Sequence, residues 1–283
     1  MQRIQPSDLI RLVKVAEPSL LDWTVGFVKA VERAGAGAEE TVDAVLAGTG
    51  VLVTANGRHA ILTANHVLQN LPKAGPTGLI LLSKSGGMDH QFMLEMDYMQ
   101  KVTVGQGSNE GLGPDLALIV LPRNDVSRLE VWKSFYNLSK RKNRMLERNP
   151  TKEKGFWVLC GLIGEMTQEM PPLPGMARNF AFKGLCGPVV VPGMRNDEQF
   201  DYCTVEVNCG QPYDLPESFG GCSGCGLWRL VLREDAGSWR LDDLLLGGIA
   251  FYESAVHEGR RNIECHGCKS IYSNAEESLA GRG

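Results

Sequence analysis

Apolar positions along the chain come mostly in short runs of four to eight residues separated by turn residues, and only two stretches show helical spacing. The clearest local signal is a hairpin. Val51-Leu52-Val53-Thr54 and His59-Ala60-Ile61-Leu62-Thr63 flank Asn56-Gly57, whose residue types tolerate the positive φ that a tight hairpin turn needs. Further strands are predicted at Val25 to Val31, Leu79 to Ser83, Gln91 to Met96, Lys101 to Val104 and Leu116 to Leu121, where Pro122 stops the run. A second series follows at Gly155 to Ile163, Asn179 to Lys183, Val189 to Val191, Tyr202 to Asn208, Leu227 to Leu232, Leu244 to Phe251 and Ser270 to Ser273. In Tyr202 to Asn208 the alternation places Cys203, with Cys209 beyond it, on the apolar face.

The helical spacings lie at Ser7 to Val15, with Ser7 as cap and Pro18 as stop, and in Asp125 to Glu147. The latter sets Val126, Leu129, Trp132, Phe135, Tyr136 and Leu138 along one side and reads as a connector between two β-rich halves. Its basic cluster Lys140-Arg141-Lys142-Asn143-Arg144 reads as a solvated face. Many short strands with turns between them predict an all-β sandwich or barrels rather than alternating β/α units.

Three chemical features stand out of this pattern. His66 falls just past the end of a strand, Asp115 at the entry to another, and Ser223 in the small-residue run Gly220-Gly221-Cys222-Ser223-Gly224-Cys225-Gly226. Small residues let backbone N–H groups face a shared concavity and let a substrate approach closely. A serine nucleophile with a histidine base and an aspartate that orients the imidazole is the arrangement of acyl-transfer hydrolases. In α/β-hydrolases the order is serine, acid, histidine with Gly-x-Ser-x-Gly. Here the order is His66, Asp115, Ser223, and Cys225 stands in place of the second glycine, which disfavours that fold.

Gly48-Thr49-Gly50-Val51, Leu62-Thr63-Ala64-Asn65-His66-Val67, Asp115-Leu116-Ala117-Leu118 and Gly221-Cys222-Ser223-Gly224-Cys225 together resemble the motifs of the trypsin/chymotrypsin-like serine peptidases, in their bacterial intracellular branch. Gly248-Ile249-Ala250-Phe251-Tyr252 and Ser270-Ile271-Tyr272 fall where that family has the strand beside the substrate and the wall of the specificity pocket. The resemblance spans roughly residues 45 to 275. It implies two antiparallel six-stranded β-barrels with a helical connector and an active site between them. The expected division is an extension over 1–23, a first barrel over 24–124, a connector over 125–150, a second barrel over 151–275 and a tail over 276–283.

The resemblance further implies His66 as general base, Asp115 as its orienting acid, Ser223 as nucleophile, and the N–H groups of Gly221 and Ser223 as oxyanion hole. Glu217, Ser218, Tyr252, Glu253 and Ser270 would contact the substrate, and a buried Glu217 would favour cleavage after Arg or Lys. The family's aspartate before the serine is Cys222 here, so activation by zymogen cleavage is not expected, and control would come from loops or a regulatory partner protein. Intracellular bacterial relatives look like effectors of stress or anti-phage responses.

Composition adds exclusions. The charged fraction is 22%, the hydrophobic fraction 43% and the net charge −4, so there is no basic footprint for nucleic acid or an anionic membrane. No secretory h-region or apolar stretch of membrane-spanning length is present, and a cytoplasmic location with mostly reduced thiols is expected for the eight cysteines. The expected partner is a protein or peptide substrate, with no cofactor. Cys222-x-x-Cys225 and Cys265-x-x-Cys268 leave open a four-thiolate zinc site, a conditional Cys–Cys contact, or plain packing. The rival reading is a catalytically silent module of the same fold that binds a protein, with structural cysteines.

Overall fold

A computed structural model describes residues 4–33, 41–82, 90–107, 113–147, 154–170, 179–208, 216 and 218–281. The chain begins with helix α1 (Pro6–Trp23). Its Leu12, Val13, Ala16 and Leu20 are buried at helical spacing, and that stripe carries the helix through Pro18, where a stop was expected. The cap is Gln5 with Asp8 in a capping box, and Ser7 lies inside the first turn. Leu12 packs on Leu232 and Trp239, so α1 is docked on the second half of the chain.

The first sheet contains β1 (Thr24–Arg33), β2 (Thr41–Ala55), β3 (Arg58–Thr63), β4 (Pro76–Leu81), β5 (His90–Glu95), β6 (Gln100–Gln106) and β7 (Asp115–Val120). Its order is β5-β4-β1-β2-β3-β7-β6, all antiparallel. A two-residue strand β8 (Tyr136–Asn137) adds to β2 in parallel. The expected six-stranded first barrel is therefore an eight-stranded sheet whose order runs as an open path. Between β3 and β4 lies the short helix α2 (Asn65–Asn70).

The connector is not one helix. It comprises α3 (Arg123–Leu129), β8 and α4 (Leu138–Glu147). Tyr136 is fully buried and pairs with Val53, whereas Trp132 is half-exposed, so the apolar positions do not form one continuous helical face. The basic residues of α4 are engaged: Arg144 bonds Asp243 at 2.6 Å and Lys142 bonds Glu276 at 2.8 Å.

The second half forms a closed six-stranded antiparallel barrel. Its strands are β9 (Gly155–Leu162), β12 (Gly184–Asn196), β13 (Asp201–Asn208), β14 (Gly226–Asp235), β15 (Ser238–Glu253) and β16 (Arg260–His266), ordered β12-β13-β16-β15-β14-β9. A small separate ribbon pairs β10 (Gln168–Met170) with β11 (Asn179–Ala181). The predicted strand at Ser270 to Ser273 is instead a wide helical turn, Ser270–Ala275, running into α5 (Glu276–Ala280). Ile271, Ala275 and Leu279 are buried four residues apart, and the Asp201 carboxylate accepts the N–H groups of Lys269 and Ser270 at the helix start.

Sheet and barrel share one core. Val51, Val53, Leu62 and Leu116 of the first pack with Val158, Trp228, Leu230 and Leu245 of the second. At that seam Trp228 stacks on Trp23 with ring centroids 5.1 Å apart. The register shift between β14 and β15 skips Gly247, next to Leu246, which stands opposite Trp228. The Leu246 N–H donates to Tyr136 Oη at 3.0 Å and its carbonyl accepts from Tyr272 Oη at 2.9 Å. Among the described residues no helix is long and apolar enough to cross a membrane.

Candidate active site

Antiparallel pairing puts the end of β3 beside the start of β7, with Thr63 opposite Ala117. His66, in the first turn of α2, and Asp115, the first residue of β7, thereby meet. Asp115 Oδ2 lies 2.5 Å from His66 Nδ1, and Asp115 Oδ1 accepts the His66 backbone N–H at 2.8 Å. Both carboxylate oxygens are thus used to fix one histidine, and with Nδ1 engaged its Nε2 is the nitrogen left for other chemistry. The imidazole is 40% exposed and the carboxylate 20%, so the pair is open on the histidine side.

Ser223 comes from the loop between β13 and β14 and is seated on β2. Its carbonyl accepts the Thr49 N–H at 2.8 Å. The space beside Gly48 is filled from two directions, by the methyls of Val67, next to His66, and by the Ser223 carbonyl, 3.1 Å from where a Cβ would stand. Gly48 is therefore the point at which the His66 and Ser223 segments converge. Among the described residues Ser223 Oγ makes no hydrogen bond to His66.

The loop is shaped by two glycines in left-handed backbone, Gly221 at φ 93° and Gly224 at φ 91°. A Cβ on Gly224 would stand 1.8 Å from the Thr49 carbonyl. Carbonyls in the loop are tied down: Gly220 to Gly164 N–H at 2.7 Å and Gly221 to Thr49 Oγ1 at 2.8 Å. The amides of Cys222, Gly224 and Cys225 are also used, donating to Phe219, Ala250 and Cys222. Among the described residues the N–H groups of Gly221 and Ser223 donate to no protein acceptor. They are the free donors beside the serine.

Cys222 and Cys225 fit this loop as packing residues. Cys225 is fully buried, and its thiol occupies the space that a side chain on Gly161 would need, 1.7 Å from an ideal Cβ there. Burial, with the Cys222 contact second, pushes the Cys225 thiol well above its ordinary range, which keeps it a protonated, poor nucleophile. Cys265 pairs across strands with Cys203, and Cys268 contacts the Gly247 carbonyl. Among the described residues no group of three or more His, Cys, Asp or Glu side chains is arranged to hold a metal, so the two Cys-x-x-Cys pairs do not converge on a zinc site.

A small cleft of about 60 Å³ opens beside Ser223, lined by Phe219, Ala250, Phe251, Tyr252, Glu253 and Ile263 among others. Tyr252 and Glu253, named from the sequence as substrate contacts, both line this cleft. Ser218 stands behind them, its N–H donating to Glu165 and its hydroxyl to Glu253. Glu253 is already neutralised: its Oε2 lies 2.7 Å from Arg261 Nη1 and accepts the Phe219 N–H at 2.8 Å. Ser270 is a correction. It is fully buried away from the cleft, bonded to the Asp201 carbonyl at 2.9 Å and to the Asp201 carboxylate at 2.8 Å. Glu217 lies outside the described residues.

Two residues at the site were not singled out from the sequence. Thr49 sits in the Gly48-Thr49-Gly50 motif, but its residue type alone gives no hint of its hydrogen bonds to Gly221 and Ser223, from Leu162 N–H at 3.1 Å, and from Thr63 Oγ1 at 2.7 Å. His266 lies between Cys265 and Cys268 in the sequence, and its Nε2 accepts the backbone N–H of Asp115.

The eight-stranded first sheet and the closed barrel define a two-part β architecture: His66 and Asp115 stand on the sheet side, Ser223 on a loop of the second half seated on β2, and the small cleft is lined by residues of the second half. Among solved structures the chain is similar to an HtrA-type protease, AlgW, with a decapeptide: TM-score 0.46, 12% identity, covering 96% of this chain and 68% of that one. A variant of the same protease with the decapeptide gives 0.40 and 13%, covering 89% and 62%. No family model matches the chain, and no curated protein matches it.

Proposed function

We propose that the chain is a serine endopeptidase. Ser223 Oγ attacks the scissile carbonyl carbon while His66 Nε2 takes its proton. The tetrahedral oxyanion is held by the N–H groups of Gly221 and Ser223, and Asp115 keeps the His66 tautomer and stabilises the imidazolium. His66 then returns the proton to the leaving amine, and a water activated by the same nitrogen hydrolyses the acyl-enzyme. The observation that carries this reading is the doubly bonded His66–Asp115 pair, with the Ser223 loop tied to the adjacent strand β2.

Among the described lining residues the carboxylate of Glu253 is already matched by Arg261, so it offers no free charge to an Arg or Lys side chain. The small volume of the cleft and its lining of Phe219, Ala250, Phe251 and Ile263 suit a compact uncharged side chain. A second reading, a peptide-binding module without turnover, is favoured by the missing Ser223–His66 hydrogen bond. Such bonds are often loose until substrate is bound.

The test is digestion of an unfolded protein substrate by the full chain, with product termini mapped by mass spectrometry. We expect cuts after small apolar residues, and a loss of at least about 10⁴-fold in Ser223→Ala. Binding of the substrate with no cuts, equal in wild type and Ser223→Ala, would select the binding module.

A further inference from the structure

His266 is the last residue of β16 and is fully buried. Its ring sits among Phe251, Tyr202 and Phe200, with centroid distances of 4.7, 5.2 and 5.7 Å. Its Nε2 accepts the backbone N–H of Asp115 at 2.9 Å. An acceptor nitrogen carries no proton, so the neutral ring must be protonated on Nδ1, and among the described residues Nδ1 has no hydrogen-bond partner. A phenylalanine would suit this aromatic setting without leaving a buried nitrogen unpartnered, so packing alone gives no reason for an imidazole here.

The contact is well placed. Asp115 begins β7, and its carboxylate holds both the ring and the backbone N–H of His66. Fixing the Asp115 amide therefore fixes the origin of the carboxylate that aims His66. The segment that follows His266 is itself pinned, because the Gly267 N–H donates to the Asp201 carbonyl at 2.8 Å and the Asp201 carboxylate accepts from Lys269 and Ser270.

We propose that His266 is a positioning residue for the proposed hydrolytic site: a neutral imidazole of the barrel that holds Asp115 of the first sheet in register with His66. The role rests on the peptidase reading for its catalytic consequence and on geometry alone for its mechanical part. His266 acts only while neutral, since a protonated ring would set its own Nε2–H against the Asp115 N–H. The charged and titratable groups facing it are Asp115, Asp201 and Arg195, with Tyr202 against its face. Burial dominates them and lowers its pKa to about 4, so the acceptor persists through the neutral range.

The test compares the full chain with His266→Phe, which keeps the ring and loses the acceptor, and His266→Gln, which restores one. Two signals are read: the low-field proton NMR resonance of the His66 Nδ1–H shared with Asp115, and the rate at which a serine-directed phosphonate modifies Ser223 across the neutral pH range. In His266→Phe the resonance shifts or broadens and labelling slows about tenfold to a hundredfold, as expected for sub-ångström misplacement of the base, while His266→Gln recovers most of both. A folded His266→Phe with an unchanged resonance and rate would overturn the proposal. A second measurement needs no variant: nitrogen-15 shifts of wild-type His266 must report a bare Nε2 and a protonated Nδ1, and the opposite tautomer also overturns it. Should wild type resist the phosphonate altogether, the peptidase reading fails, and the two NMR signals still decide the place of His266.

Discussion

The first sheet and the barrel each contribute one segment of the proposed site, and each segment is secured by a buried side chain from the other half. On the first sheet, Asp115 and His66 meet at adjoining strand ends, and the barrel supplies His266 to the Asp115 amide. On the barrel, the Ser223 loop closes on Ala250 and Cys222, and the first sheet supplies Thr49 to the carbonyls of Gly221 and Ser223. The two fastenings differ in chemistry. The Thr49 hydroxyl keeps its proton at every accessible pH, whereas His266 loses its acceptor when protonated. The barrel's hold on the first sheet is therefore sensitive to acid, and the first sheet's hold on the barrel is not.

Acidification gives the largest separation between the two. The His266 pKa is lowered from 6.5 to about 4 by burial, so between those values the unfolded chain binds a proton that the folded chain refuses. Stability from this group is full above the unfolded value, falls as pH drops through that window and levels off below about 4. The loss should be on the order of 3 kcal/mol. Urea titrations of wild type and His266→Gln at stepped pH measure it, and parallel curves for the two would contradict the assignment.

Thr49→Val removes the hydroxyl at nearly constant shape and should slow Ser223 labelling about tenfold to a hundredfold at all pH values. Thr49→Ser, which keeps the donor, should retain most of the rate. A change confined to KM in peptide assays would mean that Thr49 serves substrate binding instead. Gly161→Ala presses a methyl into the Cys225 thiol and should cost about 1–3 kcal/mol of stability. Gly161→Ala combined with Cys225→Ala should recover much of that loss in the same denaturation assay. The smallest effect is expected at the cleft. Arg261→Ala frees the Glu253 charge and should raise cleavage after Lys or Arg by a few-fold, read from product termini.

The strands were legible because hairpin turns and short apolar runs are local signals: Asn56-Gly57 and the run Leu116 to Leu121 stand where they were expected. The errors at Pro18 and Tyr136 share a cause, which is tertiary context. Pro18 does not stop α1 because the buried stripe continues to Leu20. Tyr136 leaves the helical series because β2 offers it a strand partner and Leu246 offers its hydroxyl a donor. Ser270 was placed by motif alignment, but the spacing of Ile271, Ala275 and Leu279 already pointed to a helix.

At the site, His66, Asp115 and Ser223 were legible as an order of residue types along the chain. Their supports were not. Thr49 and His266 act across the seam between sheet and barrel, and such pairings leave no spacing signal in a single sequence. His266 was further masked by Cys265 and Cys268, whose Cys-x-x-Cys spacing invited a metal reading that the strand geometry dissolves by sending Cys265 to Cys203.

The central claim is that this seam assembles a working nucleophile. It is tested most directly by treating the intact chain with a serine-directed phosphonate and locating the adduct by peptide mass mapping. One adduct on Ser223, absent in His66→Ala and slowed in Thr49→Val, is the predicted result. A folded wild type that takes up no adduct, or takes it up at a residue other than Ser223, would contradict the account.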